Sequence, residues 1–159
     1  MKIRQFERED LQTLLAVQNK NPLASRWIDA DYLRLATGPG GMILVAELET
    51  MTPPKLLGFA AFQRLIDEAE LLNIAVDPEH QNQGVGRELL EEARKRLLKV
   101  GAKRIFLEVR RSNEAALSLY YSVGFGLRSL RKDYYRDPPD DAYVLSLELF
   151  TPEVVQARP

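Results

Sequence analysis

The sequence contains no cysteine and a single histidine, His80. Without thiols there are no disulfides, thiol nucleophiles or iron–sulfur clusters, and the common structural zinc sites are excluded. One histidine cannot build a histidine-based metal centre, so no metal site is expected. Any proton transfer must use a carboxylate, a tyrosine, a lysine or water. No apolar run reaches the roughly 18 residues that a membrane-spanning helix requires. Met1–Asp10 alternates charged and apolar residues and lacks the apolar core of a signal peptide. A soluble, cytoplasmic protein with no membrane partner is expected. The net charge is only −1, which disfavours a general nucleic-acid binder. Repeats, linkers and low-complexity stretches are also lacking.

The 159 residues suit one domain, and 45% hydrophobic with 28% charged residues is a globular mixture. The expected organisation is one domain over 1–150, followed by a frayed tail at 151–159. Charge is unevenly placed. Residues 1–102 carry 13 Lys/Arg against 15 Asp/Glu, residues 103–136 carry 8 against 3, and residues 137–159 carry 1 against 5. A basic segment beside an acidic one suits an anionic cofactor and a cationic second ligand, although solvated faces produce the same pattern.

Periodicity and turn residues predict the elements. Met1–Phe6 reads as a strand. Leu11, Leu14, Leu15 and Gln18 recur at helical spacing, and Asp29 opens a second helix through Tyr32, Leu33 and Leu35. Thr37-Gly38-Pro39-Gly40-Gly41 breaks it. Met42–Glu49 and Leu56–Leu65 then form a hairpin of strands. Ala69–Val76 reads as a strand buried on both faces. In the helix Gly84–Val100, Val85, Leu89, Ala93 and Leu97 recur every four residues. Lys103–Val109 is a strand, and Ser112-Asn113 caps a helix that ends at Gly124. Phe125–Tyr134 and Ala142–Leu149 are strands separated by an acidic, proline-rich loop, Arg136–Asp141. The expected fold class is α/β (α+β), with the order β-α-α-β-β-β-α-β-α-β-β.

Gln81-Asn82-Gln83-Gly84-Val85-Gly86 leads into the strongest helix. Glycines at a helix start let backbone N–H groups turn toward one anion, and the helix dipole favours negative charge there. A pyrophosphate cradle fits, with Arg87 adding charge. A dinucleotide fingerprint fits less well: Leu89 stands where a third glycine belongs, and the glycines begin eight residues after the strand. There is no phosphate-binding-loop lysine after Gly86.

The order and spacing of Gln81-x-x-Gly84-x-Gly86, Leu107-Glu108-Val109-Arg110, Ser112-Asn113-x-x-Ala116 and Leu119-Tyr120-x-x-x-Gly124-Phe125 resemble the GNAT acyl-CoA-dependent N-acetyltransferases. Within them the chain is most similar to the RimI type, which acetylates the N-terminal alanine of a small-subunit ribosomal protein. Trp27 with Tyr32, Asp67–Val76 and Tyr134-Tyr135 add to the likeness. It implies a mixed central sheet of about six to seven strands, with a splayed parallel pair (69–76 and 103–109) and flanking helices. It implies acetyl-CoA as co-substrate, with pantetheine on backbone groups of Ile74, Ala75 and Val76. The pyrophosphate would lie on Asn82, Gln83, Gly84, Val85, Gly86 and Arg87, with Asn113 on the pantetheine. Glu108 would be the general base and Tyr120 the general acid on sulfur. The amine attacks the thioester directly, which suits a chain without cysteine.

The residues themselves leave other readings open. Glu108 could pair with Arg110 or Lys103, and Tyr120 or Tyr121 could simply be core. Asn113 could act as an N-cap alone. Asn73 breaks an apolar run and is a candidate substrate contact. So are Trp27, Tyr134 and Tyr135, although aromatic residues also pack. The expected partner is a protein or peptide N-terminus, such as that of a ribosomal protein. Transfer to a lysine side chain or small amine, or a non-catalytic acetyl-CoA sensor, are the competing functions.

Overall fold

A computed structural model describes residues 1–150 of the chain, and the expected tail at 151–159 lies outside them. The order of elements is the one periodicity predicts. β1 (Lys2–Gln5), α1 (Leu11–Asn19) and α2 (Asp29–Thr37) lead into β2 (Gly41–Leu48), β3 (Lys55–Leu65), β4 (Glu68–Val76) and α3 (Val85–Lys99). β5 (Arg104–Arg110), α4 (Glu114–Val123), β6 (Gly126–Arg136) and β7 (Pro139–Glu148) follow. The strands form one seven-stranded mixed sheet in the order β1-β2-β3-β4-β5-β7-β6. The chain makes two compact units. One comprises 1–63 with 71–93, and the other comprises 64–70 with the chain from Arg94 onward.

In the first unit, β1, β2 and β3 are antiparallel, with Arg4 opposite Val45 and Val45 opposite Phe59. Leu11, Leu14 and Val17 of α1 and Tyr32 and Leu35 of α2 are buried with Ile43, Val45 and Phe59 in one apolar cluster. Helical spacing brings these residues to one face of each helix. The Asp31 carboxylate accepts from the Ile28 N–H at 2.9 Å, which satisfies a donor at the start of α2.

In the second unit, the first residues of β4 run parallel to β5, with Glu68, Ala69 and Glu70 opposite Arg104, Ile105 and Phe106. β7 is antiparallel to β5 from Arg104–Glu148 to Arg110–Ala142, and β6 pairs on its other side. Ile105, Leu107 and Val109 are buried. Alternation therefore puts Arg104, Phe106, Glu108 and Arg110 on the opposite face.

Two expectations are corrected. β4 is not buried on both faces. Ala69, Leu71, Asn73 and Ala75 are buried, whereas Glu68 and Glu70 are exposed and Leu72, Ile74 and Val76 are half-buried. The apolar run at 71–76 conceals a strand with one open face. Nor is Arg136–Asp141 a loop: Arg136 pairs with Pro139 and Tyr135 with Asp140, so the turn is only Asp137-Pro138. Proline is tolerated at the first residue of a strand, where its missing N–H breaks no ladder bond.

Candidate active site

In the first unit, the Asp77 carboxylate accepts from the Glu79 N–H at 3.0 Å and opens a short turn after β4. Burial works against its charge, but this N–H and Lys20, 3.4 Å away, hold the carboxyl below the usual aspartate range. Asn82 and Gly84 both have positive φ, 61° and 86°. Asparagine and glycine enter this region at least cost. The Gly84 carbonyl accepts from the Glu88 N–H at 3.0 Å, so Gly84 is the last residue before α3. A Cβ built on Gly84 meets no protein atom within 4 Å. The positive end of a 15-residue helix thus begins at an exposed turn with open space beside it. This arrangement fits a phosphate group. Arg87 is exposed on the first turn of α3.

Ile74 and Val76 lie on the open face of β4, and Ala75 belongs to the core. The Val76 carbonyl accepts from Asn21 and Gln81 side-chain amides, both at 3.1 Å. Both of its lone pairs are thus engaged by the protein.

Asn73 is 5% exposed and its amide is used within the protein. Its Oδ1 accepts from the Ser25 N–H at 3.1 Å. Its Nδ2 donates to the Tyr32 hydroxyl at 2.8 Å and the Ser25 carbonyl at 3.2 Å. The Tyr32 hydroxyl in turn donates to Gln18 Oε1, and Gln18 Nε2 donates to the Trp27 carbonyl at 2.9 Å. Asn73 therefore ties the segment between α1 and α2 to β4. Its two Nδ2 hydrogens are engaged within the protein, and its Oδ1 accepts one bond. Trp27 is half-buried, packs on the core, and lies 5.0 Å from the Tyr32 ring. Among the described residues, Asp77, Glu79 and His80 are the group with metal-ligand spacing, and Lys20 and Lys55 pair with its carboxylates.

In the second unit, Glu108 is half-buried and lies 3.7 Å from the Arg131 guanidinium. The Glu108 carboxylate also raises the pKa of Tyr134. Neither alternative partner for Glu108 holds. Lys103 pairs with Asp67, and Arg110 donates to the carbonyls of Pro138 and Asp137 at 2.7 and 3.1 Å. The Arg110 guanidinium also sits 4.2 Å from the Tyr135 ring centroid. Burial, then the Glu108 charge, pushes Tyr135 up to about 12. Glu70, absent from the sequence-level candidates, faces this group. Its pKa is raised by partial desolvation and then by the Glu108 charge. Its signal was Glu68-x-Glu70 at strand spacing in a stretch that otherwise reads as apolar.

Tyr120 is 5% exposed on α4, whereas Tyr121 is exposed. Burial holds the Tyr120 pKa well above the usual tyrosine value, so its hydroxyl remains protonated. Its ring lies 5.7 Å from Phe125, and Gly124, at φ 113°, ends the helix with its N–H directed to the Tyr120 and Tyr121 carbonyls. A side chain with a Cβ rarely adopts that φ. Asn113 caps α4, its side-chain oxygen accepting from the Ala116 N–H at 3.2 Å. Its Nδ2 is not used by the cap.

Residues 5–125 match the profile of the Acetyltransferase (GNAT) family. The [Ribosomal protein bS18]-alanine N-acetyltransferase of Escherichia coli K12 is 46% identical over 97 residues, 60% of this chain and 66% of that protein. The alignment thus spans just under two-thirds of the relative. A putative enzyme of the same description from Bacillus subtilis 168 is 31% identical over 90% of this chain and 92% of its own length. The crystal structure of the ribosomal-protein-S18-alanine N-acetyltransferase from Escherichia coli is similar with a TM-score of 0.81, at 34% identity, over 94% of both chains.

Proposed function

We infer the function from one premise: this chain belongs to the acetyltransferase (GNAT) family. Members of this family use acetyl-CoA. We propose that the chain transfers the acetyl group to the N-terminal α-amine of a protein, an alanine by preference. The names of its relatives suggest a small-subunit ribosomal protein as acceptor and the cytoplasm as the place of reaction.

The observation that carries the reading is the pairing of an available carboxylate, Glu108, with two tyrosines and one arginine around it. Bound acetyl-CoA supplies an activated acetyl carbon on a thiol leaving group. The Asn82–Arg87 turn and the start of α3 would hold its pyrophosphate, and the Asn113 Nδ2 and the N–H groups of Ile74 and Val76 its pantetheine. The Ile74 N–H would also polarise the thioester carbonyl. Glu108 would take a proton from the acceptor ammonium, directly or through one water. The freed lone pair forms the N–C bond as the C–S bond breaks, and the nitrogen then releases a second proton, which replaces the one Tyr120 supplies to sulfur. Tyr120, kept protonated by burial, would donate to the departing sulfur. No protein nucleophile is required, in agreement with a chain that has no cysteine. A metal has no part in this scheme.

An α-amine suits this site better than a lysine side chain. At pH 7 an α-amine of pKa about 7.7–8.0 needs only about 1–1.4 kcal/mol to become neutral, whereas a lysine at about 10.4 needs about 4.6 kcal/mol. Free-thiol release should be measured with acetyl-CoA and an Ala-Arg peptide, and with an α-blocked peptide containing lysine. The free α-amine should react faster. Faster acetylation of the blocked peptide defeats the N-terminal reading.

A further inference from the structure

Resting on that reading, we propose that Glu70 is a specificity-determining residue which, with Glu108, holds the acceptor amine as an ammonium ion before its proton is removed.

The placement comes from strand register. Glu70 stands opposite Phe106 in the parallel pairing of β4 with β5. Residues opposite one another in a parallel pair point to the same face, and so does the residue two further on. Glu70, Phe106 and Glu108 therefore share a face. The exposed Arg131 reaches the same place from β6, 3.7 Å from Glu108 and 5.7 Å from the Tyr134 ring centroid.

The charges do not balance. Two carboxylates, Glu70 and Glu108, share the Arg131 guanidinium. The other arginines on this face are committed elsewhere, Arg128 of β6 lying 5.8 Å from the Phe106 ring centroid and 3.9 Å from Glu148. Arg104 binds Glu148 at 2.9 Å and lies 3.7 Å from Glu68. Arg110 is tied to the Asp137-Pro138 turn. The remaining negative charge is matched by one cation of ammonium size. An α-amine of pKa about 7.7–8.0 is mostly such a cation at neutral pH.

The arrangement also divides the work. Glu108 already has the Arg131 guanidinium 3.7 Å from it. Among the described residues Glu70 has no ion pair of that kind, and its pKa is raised first by desolvation and then by the Glu108 charge. An ammonium placed against both carboxylates relieves their repulsion. When Glu108 takes its proton, the amine becomes neutral and Glu70 loses its hold on it. Glu70 thus acts on ground-state binding of the cation, and Glu108 on the proton.

The test compares binding of an Ala-Arg peptide with that of the same peptide acetylated at its α-amine. Calorimetry is run with CoA present on the full chain and on the Glu70→Gln and Glu70→Asp variants. Glu70→Gln should weaken the free-amine peptide about tenfold, the scale of a hydrogen bond to a charged group, and leave the capped peptide within twofold. Glu70→Asp, which keeps the charge, should restore most of the affinity. In turnover, Glu70→Gln should raise the acceptor KM without lowering kcat, and leave the acetyl-CoA KM unchanged. Equal losses for free and capped peptides, or no loss for either, overturn the proposal. If only lysine side chains prove to be acceptors, the N-terminal reading fails. The same comparison, repeated with a free and an acetylated lysine, then decides the role of Glu70 separately.

Discussion

The Arg131 guanidinium lies 3.7 Å from the Glu108 carboxylate, which also raises the pKa of Tyr134. Glu108 is thus paired from β6, and neither of its β5 neighbours on that face binds it. Replacing Glu108 with Gln keeps the shape but removes the proton acceptor. The rate should fall by about 10²–10⁴-fold, the usual contribution of general acid–base catalysis. The defect should shrink as pH rises toward the acceptor pKa, where more amine is already neutral. A pH–rate profile checks this, and a defect constant with pH points to positioning only.

Tyr120→Phe should lower kcat far more than it weakens acetyl-CoA binding, because the ring still packs on Phe125 and only the hydroxyl is lost. A fall in kcat of less than threefold would mean that water or another group protonates sulfur. Titration of CoA, followed by calorimetry, gives the binding half of the comparison.

The same residue sets a stability limit in alkali. Burial raises the Tyr120 pKa, so the folded state keeps a proton that the unfolded chain releases near pH 10. The unfolded state then binds fewer protons, and stability falls as pH rises. The contribution is fully present below about pH 10 and is lost above it. Urea unfolding between pH 9 and 11 should show this decline, and Tyr120→Phe should reduce its slope, leaving the share of Tyr32 and Tyr135, whose pKa values burial also raises.

Asn73→Ala should cost about 1–3 kcal/mol, the penalty for leaving buried polar groups without partners. It strips the Tyr32 hydroxyl of a donor and frees Ser25 from β4. Denaturant titration measures the loss.

Gly84→Ala should destabilise the fold by about 1–2 kcal/mol, the cost of a Cβ in the left-handed region. The added methyl group meets no protein atom. Any loss of CoA affinity beyond that expected from unfolding therefore reads the space beside the turn. Unchanged affinity in a folded variant removes the phosphate cradle assignment.

The order of elements was legible because each rests on a local pattern. Leu11, Leu14, Leu15 and Gln18 recur at helical spacing, Gly124 and Gly101 end helices with positive φ, and β5 alternates cleanly. The family was legible for a related reason. A phosphate turn, a strand-borne carboxylate and a helix-borne tyrosine must keep their spacing along the chain if one fold is to present them.

Tertiary structure alone decided the partners. Local pattern could not tell that Asn73 would bond to Ser25 and Tyr32, 48 and 41 residues away. Nor could it tell that Glu108 would take Arg131 rather than Arg110. The apolar letters of 71–76 likewise hid which face of β4 was open, and with it Glu70. Hydrophobic period and turn chemistry act over a few residues, so they are written in the sequence. Hydrogen bonds and charge pairs between distant strands depend on register and on competition among several possible partners, and those exist only once the sheet has formed.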